Sequence, residues 1–190
     1  GEPMDECLHY RRRMARAYMR LFRPLTPGGP RRSRFDQMTA RWWTRIDVVV
    51  FRHSGISLGV RALGVNDVLL LRTRGRLSGQ VREVLVAYVV IDGVLYVCAA
   101  NGGSDRAPAW YRNLEAGEPI EIECHGRRET VLPVVLEGAH RERVFDVVYQ
   151  TFPHVRLYLA QTTRPFPIVA LGTFEVAVRV PQVPLVLAER

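Results

Sequence analysis

Arg72, Arg74, Arg76 and Arg82 crowd around Gly75, Ser78 and Gly79. A guanidinium is a permanent cation whose planar fork matches phosphate or carboxylate bidentately, and small residues let backbone N–H groups approach an anion closely. The chemistry in view is a grip on an acidic ligand. A solvated hairpin turn with charges on its rim is the plain alternative. No Gly-Lys-Ser/Thr follows, so the loop is not a nucleotide P-loop, and no helical pattern follows at once, which argues against a dinucleotide fold. A second stretch, Cys98 to Leu114, ends a strand in Asn101-Gly-Gly before a helix start. No residues are spaced as a catalytic triad, a carboxylate pair or a metal cluster. Cys7, Cys98 and Cys124 lie far apart, without Cys-x-x-Cys spacing, and read as reduced thiols. The histidines are scattered, and among them only His154 falls near the presumed pocket.

Gly75-Arg-Leu-Ser-Gly79 with Arg82, Ala99-Ala-Asn-Gly-Gly, Pro108-Ala-Trp-Tyr-Arg-Asn-Leu114, then Thr163-Arg164 with Pro167-Ile-Val-Ala-Leu171, occur in one order along the chain. This set resembles the deazaflavin-dependent nitroreductases, also described as coenzyme F420-dependent quinone reductases. The likeness runs over residues 36 to 175. It implies a split β-barrel of the FMN-binding kind and hydride transfer from reduced F420 to an activated C=C, a quinone or a nitro compound. Two departures stand out. Leu77 replaces the lysine of the family's usual Gly-Arg-Lys-Ser/Thr-Gly loop, and Arg82-Glu-Val-Leu-Val86 replaces Arg-x-Thr-Pro-Leu, so one cation is lost and Glu83 adds an opposite charge.

By the same resemblance, Arg74, Arg76, Ser78 and Arg82 hold the coenzyme's phosphate and tail. Leu85, Val86, Ala100 and Asn101 meet its ring, while Trp110 and Asn113 close the site. Trp110 also reads as a packing residue. The family's substrate side carries several tyrosines, whose places here are taken by Phe152, Val155 and Tyr158. Tyr158 is the candidate proton donor or substrate hydrogen bond, with Tyr149 and His154 behind it. Hydride chemistry belongs to the cofactor, so the absence of a nucleophile fits an oxidoreductase. The pocket is expected to be more apolar than in such relatives, and a biosynthetic substrate is one reading.

A chain of 190 residues with 47% hydrophobic and 24% charged content suits one globular domain. No apolar run has the length of a membrane span, and no secretory pattern opens the sequence, so a cytoplasmic setting is expected. The formal charge is +8, and every basic residue is arginine. With no lysine, Schiff-base chemistry from a side chain is excluded. The excess positive charge favours acidic ligands, nucleic acid or anionic membrane.

The elements that position these residues are expected as follows. Residues 1–32 form an extension, in which 4–23 read as a basic amphipathic helix that lies on a membrane surface or packs on the barrel or a neighbouring subunit. A second helix starts at Ser33 and reaches His53, with Phe35, Met38, Trp42 and Ile46 as a core stripe. Strands are expected over 68–74, 82–91 and 94–100, the latter two joined by Asp92-Gly93, then over 120–124, from Gly126 to Leu136, and 168–178. Pro108 opens a short helix, another runs over 139–152, and a third carries Tyr158. The class is α+β, a barrel of six mainly antiparallel strands over 33–178 with flanking helices, followed by an extended tail over 179–190. Other readings keep the barrel but give it FMN or a pocket used without the usual deazaflavin, or make the protein a basic binding module. Against the latter, the arginines are spread along the chain without the aromatic interleaving of single-strand binders. The oligomeric state is open between monomer and homodimer.

Overall fold

The computed structural model describes residues 34–55, 57–58, 65 and 67–173. The extension over 1–32, the tail over 179–190 and the far end of the last strand lie outside them. Helix α1 (Arg34–Ser54) precedes β1 (Val68–Arg74), β2 (Val81–Ile91) and β3 (Val94–Cys98). Helix α2 (Ala109–Asn113) leads to β4 (Ile120–Cys124), β5 (Arg127–Val131) and β6 (Val134–Val135). Helices α3 (Gly138–Thr151) and α4 (Pro153–Leu159) then precede β7 (Ile168–Thr173).

All strand pairs are antiparallel, in the order β5-β4-β1-β2-β3-β7-β6. The long strand β2 belongs to both halves: its Val81–Ala87 portion pairs with β1, and its Tyr88–Ile91 portion pairs with β3. The two ends of that order, β5 and β6, are separated in sequence only by Leu132-Pro133. Three peptide steps reach at most about 10 Å, so the outer strands must approach and the sheet curls into the expected split barrel.

The sequence reading put a single strand between Gly126 and Leu136; the structure breaks it in two. Pro133 has no N–H to give a ladder, and the chain turns there from β4 to β7. The count is therefore seven described strands rather than six, and β3 stops at Cys98, short of Ala100. Pro153 opens α4 at its first turn, and Phe152 before it is extended, at φ −113° and ψ 95°.

Period-two alternation sorts the barrel into two faces. Leu69, Leu71, Tyr88, Val90, Leu95 and Val97 fill the interior with residues of β4 and β7, and Trp110 with Leu114 closes one end. Outside, α3 and α4 cover β2, β3 and β7 through Val144, Val148, Phe152, Val155 and Tyr158 against Val89, Tyr96 and Ile168. Helix α1 covers Val68, Leu70 and Leu85 with Val48 and Phe51.

The expected core stripe of α1 is corrected at Trp42 and Ile46, while the side chains of Phe35 and Met38 lie outside the described residues. Trp42 is 63% exposed and Ile46 is 48% exposed. Ile46 and Val48 lie about 200° apart around a helix, so the face that takes Val48 and Phe51 to the sheet turns Ile46 to solvent. The buried Asp47 carboxylate accepts Ser57 Oγ at 2.7 Å and the Leu58 N–H at 2.6 Å, which ties α1 to the chain that follows.

Candidate functional site

The hairpin between β1 and β2 closes as a tight turn. The Gly75 N–H donates to Gln80 O at 2.8 Å, and the Gly79 N–H donates to Gly75 O at 2.7 Å. Gly79 has φ 66°, where a side chain would be strained. Gly75 is small for a different reason: a Cβ there would stand 2.9 Å from Ser78 Oγ. Asn113, on α2, braces this turn from the side. Its Nδ2 donates to Thr73 Oγ1 at 2.9 Å, and its Oδ1 accepts the Arg76 N–H at 3.3 Å. Asn113 therefore spends its amide on positioning the loop. Trp110 is 7% exposed inside the barrel core, with Tyr111 edge-on to it, so its observed role is packing.

The four arginines read as one cradle divide by strand register. Arg72 faces Glu83 across β2 and Glu121 across β4 on the outer face. It is 8% exposed and donates to Glu83 at 2.7 Å, Glu121 at 2.7 Å and Glu123 at 2.8 Å. Arg52 also pairs with Glu83, and Arg128 reaches Glu121 and Glu123. The hydrogen bond from Arg72 holds the Glu123 carboxyl below the usual carboxylate range against the opposing effect of burial. Arg72 is thus removed from the cradle, and Glu83 is spent on two cations.

Arg74, paired with Val81, shares that outer face and donates to Gly79 O at 3.1 Å. Arg82 pairs with Thr73 and so lies on the inner side, its Cγ next to the space over Gly75. Arg76, Ser78 and Arg82 are exposed. Among the described residues neither the Arg76 nor the Arg82 guanidinium has an acidic partner. Arg112, on α2, was missed by the sequence reading. Its Nε is buried without an acceptor, an arrangement that only the solved packing reveals. A donor set of this kind suits an anionic ligand.

Leu85 and Val86 point to opposite faces: Leu85 packs with the α1 cover, and Val86 packs into the barrel. Ala100 belongs to the outer side with Ala87. After Ala100 the chain turns through Asn101, Gly102 and Gly103 at φ 50°, 62° and 79°, and Asn101 Nδ2 donates to Arg106 O at 2.8 Å. Gly103 is seated on α4, where a Cβ would come 2.7 Å from Tyr158 O.

Phe152, His154, Val155 and Tyr158 are brought together, all of them buried. The His154 ring lies 5.6 Å from that of Phe152 and 5.3 Å from that of Tyr158. Burial pushes His154 down to about 4, and its Nδ1 has no hydrogen-bond partner, so it is a neutral imidazole at pH 7. Burial likewise pushes the thiols of Cys98 and Cys124 up, to about 12 and about 11, and leaves them protonated. An open groove of about 360 Å³ beside α4 is lined by Asp105, Gln161, Thr162 and Thr163 among others. It carries a carboxylate and no cation, a poor match for an acidic ligand. Among the described residues no group of side chains could hold a metal ion, and no helix is long and apolar enough to cross a membrane.

Residues 43–172 match the family model described as F420H(2)-dependent quinone reductase. The chain is 29% identical over 130 residues to the F420H(2)-dependent quinone reductase Rv1261c of Mycobacterium tuberculosis, covering 67% of this chain and 87% of that protein. Among solved structures, one described as an F420-H2 dependent reductase (FDR-A) aligns at 25% identity with a TM-score of 0.50, covering 55% of this chain and 93% of the other. Another, described as a domain-swapped dimer, aligns at 25% identity with a TM-score of 0.52, covering 70% and 98%.

Proposed function

The chain belongs to the F420H(2)-dependent quinone reductase family, and from that membership we propose that it grips reduced coenzyme F420 at the barrel mouth for hydride transfer to a small acceptor. Quinones are the first acceptor class, with activated C=C and nitro compounds beside them and a biosynthetic substrate as the narrower reading. The observation that carries the proposal is the pair of arginines at the mouth, Arg76 and Arg82, which no carboxylate neutralises among the described residues, while every acid near Arg72 is engaged. Bound there, the coenzyme supplies the hydride.

The chain's own residues bind and orient. Arg76 and Arg82, with Ser78, take the anionic end, Arg74 steadies the turn through Gly79 O, and Asn113 fixes the loop. The ring side is the outer strip of Leu85 and Ala100 beside Asn101, with Val86 supporting it from the barrel interior. Phe152 and Val155 make the acceptor side apolar and exclude water. Tyr158 supplies a hydroxyl for a proton or hydrogen bond, and neutral His154 lies against it. The domain-swapped relative supports a homodimer over a monomer.

Fluorescence titration with F420 and with FMN tests the cofactor, and oxidation of the reduced coenzyme against a quinone, enone and nitro panel tests the acceptor. Saturable F420 binding and turnover with a quinone are expected. Binding of FMN alone would reverse the cofactor assignment.

A further inference from the structure

We propose that Arg164 is a positioning residue that clamps the Asn101–Gly103 turn to the barrel and thereby sets the coenzyme side of the site against Tyr158. The inference rests on the functional reading above for its consequence, but not for its geometry.

Arg164 lies between α4 and β7, and nothing in its sequence neighbourhood marks its target. Its guanidinium spends its donors on backbone carbonyls. Nε donates to Ser104 O at 3.0 Å, Nη2 to Ala100 O at 3.0 Å, and both Nη1 and Nη2 to Ala99 O at 3.3 Å. Nη1 also reaches Pro165 O at 3.2 Å, and the group lies 5.1 Å from the Phe166 ring centroid. Burial lowers its pKa, and among the described residues no carboxylate forms an ion pair with it. A charge placed this way is costly unless its hydrogen bonds are worth keeping.

The bonded carbonyls bracket one object. Ala99 and Ala100 precede the turn, and Ser104 follows it. Between them stand three consecutive left-handed residues, one of which is not glycine. The turn's own bonds are few: Gly103 N–H to Ala100 O at 3.1 Å and Ser104 N–H to Asn101 O at 3.2 Å. Such a turn needs outside support to hold its conformation. Arg164 provides it from the β7 side, while the close approach of Gly103 to the Tyr158 backbone, which leaves no room for a Cβ, bounds the other side. If Arg164 lets go, Ala100 loses a bond to its carbonyl, and Asn101 moves with it relative to Tyr158 although no direct hydrogen bond joins Asn101 to Arg164.

The test compares the whole chain with Arg164→Gln, Arg164→Lys and a control, Arg141→Gln. The control removes a bond of the same kind, Arg141 Nη2 to Phe166 O at 2.9 Å, away from the turn. Hydrogen exchange at the Gly103 and Ser104 amides requires no coenzyme. It is expected to quicken at least about tenfold in Arg164→Gln and to stay at the wild-type rate in Arg141→Gln. F420 Kd should rise about tenfold and kcat with a quinone should fall about tenfold in Arg164→Gln, with partial rescue by Arg164→Lys and no change in the control. Unaltered exchange overturns the proposal, as does faster exchange with Kd and kcat unmoved. Should the Gln variant fail to fold, the Lys variant decides by the same exchange criterion, because it keeps the charge but loses the fork. A wild-type chain that does not bind F420 sinks the functional reading alone and leaves the exchange experiment to decide the clamp.

Discussion

The outer face of β1 and the mouth of the barrel are built from the same residue type, two positions apart in places, with opposite electrostatic outcomes. On the outer face, Arg72 sits among Glu83, Glu121 and Glu123, with Arg52 and Arg128 closing the cluster. Three cations meet three anions, and the charge is used up within the fold. At the mouth, Arg76 and Arg82 stand beside a tight turn shaped by Gly75 and Gly79 and braced by Asn113, with no acid assigned to them among the described residues. Cations that the fold neutralises serve stability; cations that it leaves open are available to a ligand. The distinction turns on register, since moving a strand by one residue exchanges its faces.

The sharpest way to break this contrast is Arg72→Ala. Three carboxylates would then share Arg52 and Arg128, and breaking a buried pair costs about 3–5 kcal/mol, with the lower end expected because Glu121 and Glu83 reach solvent. Urea unfolding should show the loss, while the folded fraction keeps its F420 Kd. The acid limb adds a second readout. The Glu123 carboxyl is depressed in the folded state, chiefly by its hydrogen bond from Arg72, so its contribution is present above the ordinary carboxylate value of about 4.3 and is lost as pH falls through the folded value. The variant should lose less stability than wild type across that window. An identical acid limb would detach Glu123 from Arg72.

Next in size is Arg76→Glu with Arg82→Glu. Each charge-assisted contact contributes about 1.5–3 kcal/mol, so Kd should weaken about a hundredfold or more. Both side chains are exposed, and the unfolding free energy should stay within about 0.5 kcal/mol of wild type. The two double readouts are mirror images: stability without binding for Arg72, binding without stability for the mouth. Unchanged affinity after charge reversal would mean that the open cations serve something other than the coenzyme.

Much of this was legible before the fold was known, and the failures share a cause. Alternation in Ile120-Glu-Ile-Glu-Cys124 and the Asp92-Gly93 signal located strands because both are local patterns. Helix α1 ends next to the expected His53, yet Trp42 and Ile46, expected in its core stripe, face solvent. Periodicity defines a face but does not say which face the sheet will cover. Arg72 was grouped with Arg76 and Arg82 because they are close in sequence, whereas β1–β2 register and the distant β4 carboxylates decide their fates. Pro133 was visible, but its effect depended on β6 having β7 to join. Arg164 and the orphaned Arg112 Nε show the same limit, since an arginine's partners come from wherever the chain brings carbonyls or acids.

Leu77→Lys offers the smallest and most discriminating change at the mouth. Leu77 is 87% exposed at the tip of the hairpin, the position at which the sequence resemblance leads one to expect lysine. It buries almost nothing, so replacing it should leave the unfolding midpoint unchanged. A new cation beside Arg76 acts mainly through solvent, where a charge interaction is worth about 0.2–1 kcal/mol and is screened over about 10 Å at 0.1 M salt. The expected result is a Kd two- to fivefold tighter at low ionic strength, converging on the wild-type value as salt rises. Leu77→Gln adds length and polarity without charge and should give no such gain. Tightening by Lys alone, erased by salt, would place the coenzyme's anionic end within reach of the hairpin tip. Equal affinities at every ionic strength would move that anion toward Arg82 and α2, leaving Leu77 as an exposed residue that the site does not use.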